Sequence, residues 1–345
     1  MHLQDLLGIE LPIIQAPMAG VQGSELAVAV CAAGGLGSLP CAMLGPEAIA
    51  GEIATIRSHT ARPFNANFFC HTPPEPDPVA ESRWLQALKP YYEEMGLDLD
   101  AITPGPARSP FTVETVELLE LIEPPVVSFH FGLPDAALLA RVRNWGAKIL
   151  ASATTLEEAQ WLEARGVDAI IAQGTEAGGH RGHFLSDDLS IQSTTRSLVA
   201  QIVAHVSLPV VAAGGIATAA DVDSLLTLGA AGVQVGTAYL LCPEATTRPL
   251  HRAALVSQQS RDTAITNVFS GRPARGIVNR LIREQGPISQ FAPTFPLAAT
   301  ALGPLRAEAE NRGSGDFTPL WAGQSVAGCR EISAATLTRE LAAML

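Results

Sequence analysis

What most constrains the fold of this 345-residue chain is a repeating unit: a short apolar run, an amphipathic segment, a glycine, then the next apolar run. The runs are rich in Val, Ile and Phe and number eight: PIIQAPM (12–18), GLGSLP (35–40), FNANFFC (64–70), VVSFHFG (126–132), AKILASA (147–153), AIIAQG (169–174), PVVAAGG (209–215) and GVQVGTA (232–238). They are continuously apolar and not alternating, which suits parallel strands covered on both faces. Amphipathic segments predict helices over 24–33, 46–58, 134–145, 155–165 and 218–228. In the third, Leu138, Val142 and Trp145 form a stripe that should face a sheet, with Arg141 and Arg143 off it. Thr155 and Thr218 suit N-caps, with Glu158 and Asp221 three residues on, and Gly146, Gly166 and Gly229 sit where helices should stop.

Eight strand–helix units fit an α/β (β/α)8 TIM barrel better than an open doubly wound sheet, for which a GxGxxG turn is expected and none occurs. A barrel accounts for about 250 residues, so two regions remain. Residues 71–110 are a Pro-rich insertion after the third strand, on the face where barrel enzymes place their sites. Beyond about 240 the pattern becomes mixed helix and loop. The expected division is a barrel domain over 1–245, carrying the insertion, and a mostly helical cap over 246–345 that completes a substrate site.

The chain is 47% apolar and 16% charged, enough for a sizeable core and too little charge for disorder. A net charge of −12 without a Lys/Arg cluster argues against a nucleic-acid partner. The five cysteines, Cys31, Cys41, Cys70, Cys242 and Cys329, follow neither a disulfide nor a metal spacing, so a reducing cytoplasm is the expected setting. No run reaches the ~18 apolar residues of a membrane span, and the opening MHLQDLLGIELPIIQAPMAG lacks the basic start of an export signal. A homodimer is compatible with the sequence.

In a barrel, the loops after strands seven and eight often bind phosphate through main-chain N–H groups. Here Gly214, Gly215, Gly236 and Thr237 would let the chain approach an anion closely, the competing reading being tight helix–strand packing. After strand six, GTEAGGHRGHF holds His180 and His183 on a turn made compact by Gly178, Gly179 and Gly182, which leaves both imidazoles free to point into the mouth of the barrel. A neutral imidazole is well poised to take a proton near pH 7. His130 ends another strand and faces the same mouth. Arg181 reads as a solvated loop charge. A metal site built on the two histidines and Asp187 is the weaker reading, because no HExxH or CxxC supports it, and GxSxG is absent.

Taken in order, PIIQAPMAG, FNANFFCH, VVSFHFGLP, QGTEAGGHRG, VVAAGGI, GVQVGTAYL, TNVFSGRPARGIVNR and LWAGQ span positions 12 to 324, and the chain resembles the nitronate monooxygenases, in particular their larger bacterial and fungal class. The resemblance implies a barrel holding non-covalent FMN with the substrate between flavin and cap. By it, Ala16, Pro17, Met18 and Ala19 would lie by the flavin ring, Asn67 and Gln173 would hydrogen-bond it, and Gly178, Gly215, Gln234, Val235, Gly236 and Thr237 would line the ribityl and phosphate end. His180 matches the AGGH histidine and is the candidate base, with His130 as a second catalytic candidate. No metal is implied. The expected activity is oxidation of alkyl nitronates by O2, and of nitroalkanes once deprotonated, to carbonyl compounds and nitrite. Two alternatives stay open: an NAD(P)H-dependent enoyl-acyl-carrier-protein or quinone reductase on the same FMN barrel, and a non-catalytic barrel that senses a phosphorylated ligand.

Overall fold

The computed structural model describes residues 2–99, 102 and 109–345. Eight parallel strands form one sheet: Ile13–Gln15 (β1), Gly37–Pro40 (β2), Phe64–Phe69 (β3), Val126–His130 (β4), Lys148–Ala153 (β5), Ala169–Gln173 (β6), then, after the two-residue strand Gly179–His180 (β7), Val210–Ala213 (β8) and Gly232–Val235 (β9). Each of the eight falls inside a predicted run. Their order is β1-β9-β8-β6-β5-β4-β3-β2. Two main-chain hydrogen bonds of 2.9 Å, Gln15 N to Leu36 O and Leu36 N to Ile13 O, join the two ends, so the sheet closes into a TIM barrel.

Thirteen helices follow among the described residues: Leu3–Leu7 (α1), Ser24–Ala32 (α2), Pro46–His59 (α3), Pro78–Met95 (α4), Val113–Ile122 (α5), Ala136–Asn144 (α6), Leu156–Glu163 (α7), Thr195–His205 (α8), Ala219–Thr227 (α9), Pro249–Val256 (α10), Arg280–Gln285 (α11), Ala298–Asn311 (α12) and Ala334–Leu341 (α13). Short α1 closes the N-terminal end of the barrel, where Leu3 and Leu7 pack with the inward-facing Ile14, Leu36, Leu150, Ile171 and Val211. The outer layer is held by strand residues facing out against helix stripes. In α6, Leu138 and Val142 are buried, while Trp145 caps the end half-buried and donates to Pro124 O. Thr218 and Asp221 form the expected capping box on α9. Thr155 caps α7, but Glu158 there turns its carboxylate to Thr154 and to the main chain of Phe184 and Leu185. No helix among the described residues is long and apolar enough to cross a membrane.

The insertion holds more structure than its prolines suggest, although its positions 100–101 and 103–108 lie outside the described residues. Asp77 accepts hydrogen bonds from Val79 N and Ala80 N, and Pro78 begins α4. Trp84, Leu88, Tyr91 and Tyr92 then form a buried stripe packed in one cluster with α12. Trp84 Nε1 donates to Ala298 O at 3.1 Å and the Tyr92 hydroxyl to Ala301 O at 2.6 Å.

The C-terminal region is mainly helical, with one addition to the mixed helix and loop expected there. Thr263–Thr266 (β10) and Ala274–Ile277 (β11) pair antiparallel, and β11 pairs in turn with β7. After this sheet and α12 the chain returns to the barrel. Ala334, Leu337 and Leu341 of α13 join the apolar layer around α2 and α9, and Thr338 meets the Tyr239 hydroxyl at 2.8 Å.

Candidate active site

A cavity opens at the C-terminal ends of the barrel strands. All fourteen residues that the resemblance assigns to the cofactor or to catalysis line it: Ala16, Pro17, Met18, Ala19, Asn67, His130, Gln173, Gly178, His180, Gly215, Gln234, Val235, Gly236 and Thr237. The loop after β1 is set by a buried amide cluster. Gln15 Oε1 accepts from Ser38 N at 3.0 Å, Gln15 Nε2 donates to Gln22 Oε1 at 2.6 Å, and the same oxygen accepts from Met18 N at 3.0 Å. Gln22 Nε2 completes the cluster on Ser38 O at 2.6 Å. Asn67 is similarly fixed, its Nδ2 donating to Ser128 Oγ at 2.9 Å.

At the opposite wall, the glycine turns after β8 and β9 meet the segment 322–325. Gly323 N donates to Thr237 Oγ1 at 2.9 Å and Ser325 Oγ to Gly215 O at 3.0 Å. A methyl group on Gly178 would stand 2.5 Å from Gly323 N, so only glycine lets the strand-six loop pass under this segment. Beside the turns, Gln234 Oε1 is buried without a hydrogen-bond partner. An orphaned buried carbonyl oxygen lining a cavity calls for a donor from a ligand.

The histidine loop is held by β11. Register pairs His180 with Ala274 and Gly179 with Arg275, and Arg181 N donates to Pro273 O at 2.8 Å. His180 stands half-buried in the cavity wall, its ring 5.4 Å from that of Phe295 and 5.5 Å from that of Trp321. Its Nε2 lies 2.8 Å from Ser270 Oγ. Ser270 Oγ also lies 3.3 Å from Arg272 O, to which it can donate; when it does, Oγ accepts from Nε2–H of His180, and in that tautomer Nδ1 is the basic nitrogen.

His130 lies beneath this loop. Its Nε2 donates to His180 O at 3.2 Å and its Nδ1 meets Ser152 Oγ at 3.0 Å. Burial, followed by the nearby arginine charges, pushes its pKa down to about 3, so it is neutral at ordinary pH with both nitrogens engaged inside the protein. Gln173 braces the same turn: Nε2 donates to His180 O at 2.9 Å and Oε1 accepts from Gly182 N at 2.7 Å.

Two expectations are corrected. His183 does not point into the mouth: it is buried behind the loop, with Nε2 3.4 Å from Asp187, because Gly182 packs tightly on His130 and Ser152 and turns the chain inward. Arg181 is no solvated charge. It is fully buried, and its guanidinium donates to Gln173 O at 2.8 Å, Gly174 O at 2.7 Å and Gln192 Oε1 at 2.8 Å. Among the described residues no three His, Cys, Asp or Glu side chains gather as a metal site.

The structure adds residues that the sequence reading missed. Ser270 lies in TNVFSGRPARGIVNR but carried no signal of its own. His251 on α10 lines the cavity with Arg306 and Trp321; its Nε2 is buried without a hydrogen-bond partner, and burial pushes its pKa down to about 4. An imidazole at PLHRA on an amphipathic helix looks like any surface histidine until α12 folds over it.

Comparison with known proteins identifies the family. The model of the nitronate monooxygenase family matches residues 1–343. A nitronate monooxygenase of Paraburkholderia phytofirmans is 42% identical over 342 residues, covering 98% of this chain and 93% of that protein. One of Pseudomonas aeruginosa is 43% identical over 341 residues, covering 97% and 96%. The solved structure of nitroalkane oxidase from Streptomyces ansochromogenes superposes with a TM-score of 0.89 at 40% identity, over 99% of this chain and 96% of that one. On sequence along its whole length and on fold, the chain belongs to the nitronate monooxygenase family and is an oxidoreductase.

Proposed function

We propose that this protein binds FMN at the mouth of the barrel and oxidises alkyl nitronates with O2 to carbonyl compounds and nitrite. The observation that carries the reading is the cavity itself, where glycine turns, the orphaned Gln234 Oε1 and the half-buried His180 face one space. The residues present fit a flavin mononucleotide. Gly215, Gly236 and Thr237 offer close main-chain approach for its phosphate end, Gln234 Oε1 needs a donor of the kind a ribityl hydroxyl or ring N–H supplies, and Ala16, Pro17, Met18 and Ala19 form an apolar wall for a flat ring. FMN held there supplies the electron acceptance from the electron-rich nitronate carbon that lets O2 complete the oxidation.

The protein's own groups bind, orient and move the proton. With a neutral nitroalkane, Nδ1 of His180 takes the α-proton while Ser270 fixes the ring through Nε2. Gln173 and His130 position that imidazole from below by holding the His180 carbonyl. His130 is therefore assigned to bracing and not to proton transfer. Phe69, Phe295 and Trp321 surround His180 with apolar rings that exclude water from the reacting carbon. The five cysteines are all free, which suits a reducing, cytoplasmic setting.

Oxygen uptake and nitrite release by the FMN-loaded protein, with propionate 3-nitronate and with nitroalkanes, test the reading. Turnover of the nitronate is expected without any nicotinamide. Rapid anaerobic bleaching of the flavin band by NADPH, with no nitrite from either substrate, would replace this function by an NAD(P)H-dependent reductase. His180→Ala should keep FMN and lose about 10²- to 10⁴-fold in turnover of neutral nitroalkanes.

A further inference from the structure

We propose that Arg181 is a positioning residue that aims the His180 imidazole; this rests on the reading of His180 as the base. A guanidinium shut away from water is expensive unless its donors are satisfied. Among the described residues no carboxylate pairs with it directly, and Glu176 and Glu158 act on it only at longer range. Its bonds go instead to the two carbonyls at the C-terminal end of β6, those of Gln173 and Gly174, and to the Gln192 side chain on the far side of the loop.

Those partners place Arg181 in a closed circuit around the base. The Gln173 main chain is clasped by the guanidinium while the Gln173 side chain holds the His180 carbonyl and the Gly182 amide. Arg181 N is fastened to Pro273 O, next to the β7–β11 register that contains His180. The residue that follows the imidazole thus ties the loop's return point to its point of departure. Two neighbouring guanidinium groups repeat the motif, Arg275 Nε on Thr175 O at 2.7 Å and an Arg272 nitrogen on His183 O. A turn with glycines at 174, 178, 179 and 182 has little rigidity of its own, so its shape comes from these directed, charge-assisted bonds. Lysine keeps the charge but cannot present a planar fork to two adjacent carbonyls.

The test compares Arg181→Lys with wild type on a neutral nitroalkane, which needs the base, and on the preformed nitronate, which does not. Arg181→Lys is expected to retain bound flavin and to turn over the nitronate within about threefold of wild type. On the neutral nitroalkane kcat should fall about tenfold to a hundredfold with KM little changed, the scale of a base displaced by about an ångström. Gln192→Ala, which removes one acceptor and leaves the carbonyl clasp, should show a smaller loss in the same direction, and it decides the question if Arg181→Lys does not fold. Equal losses on both substrates, or no loss on either, would overturn the proposal. His180→Ala run alongside separates the two ideas: if it leaves nitroalkane turnover intact the base is misassigned, whereas if it abolishes turnover and the Arg181 and Gln192 variants do not lower it, only the positioning role fails.

Discussion

Gly178 shows how little freedom the site leaves at single positions. A Cβ there meets the main chain of Ala322 and Gly323, which cannot step aside without moving Thr237 and the turn after β9. Gly178→Ala should therefore weaken flavin retention while leaving the barrel folded, read as the ratio of flavin to protein absorbance after gel filtration; an unchanged ratio would show that the 322–325 segment yields. Single residues were legible in the sequence where their type is itself a signal. Glycines at loop starts and a histidine among them announced the mouth, and His180 stands in its wall. Arg181 and Ser270 were not legible. Whether an arginine is buried depends on which carbonyls its loop folds against, and Ser270 reaches His180 across 90 positions of chain. His183, like His180, follows a glycine in the sequence, yet it is buried behind the loop, where Gly182 packs on His130 and Ser152.

At the level of elements, the eight strands were readable because parallel strands buried on both faces are apolar without interruption, and the helix ends because caps and glycines mark them. Gly146, Gly166 and Gly229 take φ of +85°, +73° and +103° at the expected stops. Removing the cap with Thr218→Ala should cost about 1 kcal/mol, seen as a lower urea midpoint with nitronate turnover unaltered; a loss of turnover as well would mean that the α9 end shapes the glycine turn before it. Thr155 and Glu158 carry the same spacing, yet Glu158 serves the loop at Phe184 and Leu185, a partner 26 positions away that no local pattern reports. Helices α5 and α8 were not among the predicted segments, and α4 was hidden because prolines flank and interrupt it. Strands β10 and β11 are four residues each, and β11 gains its meaning only from pairing with β7.

For the whole molecule, three imidazoles buried in a neutral state make stability depend on acidity. His130, His183 and His251 have pKa values pushed down by burial to about 3, 4 and 4. In the unfolded chain each takes a proton near pH 6.5, so between that pH and about 4 the unfolded state binds more protons and stability falls as the pH drops. Each contributes a slope of roughly 1.4 kcal/mol per pH unit once fully developed. Urea midpoints measured at pH 7, 5.5 and 4.5 should decline in that order, and a flat series would mean that these rings are hydrated. The position of α13 has a different consequence. Because the final helix is seated between α2 and α9 and tied to Tyr239, the stretch running from α10 through α12 is moored at both ends. It spans the side of the mouth as a bridge does, and His251 and Arg306 along it, with Trp321 just beyond α12, line the cavity.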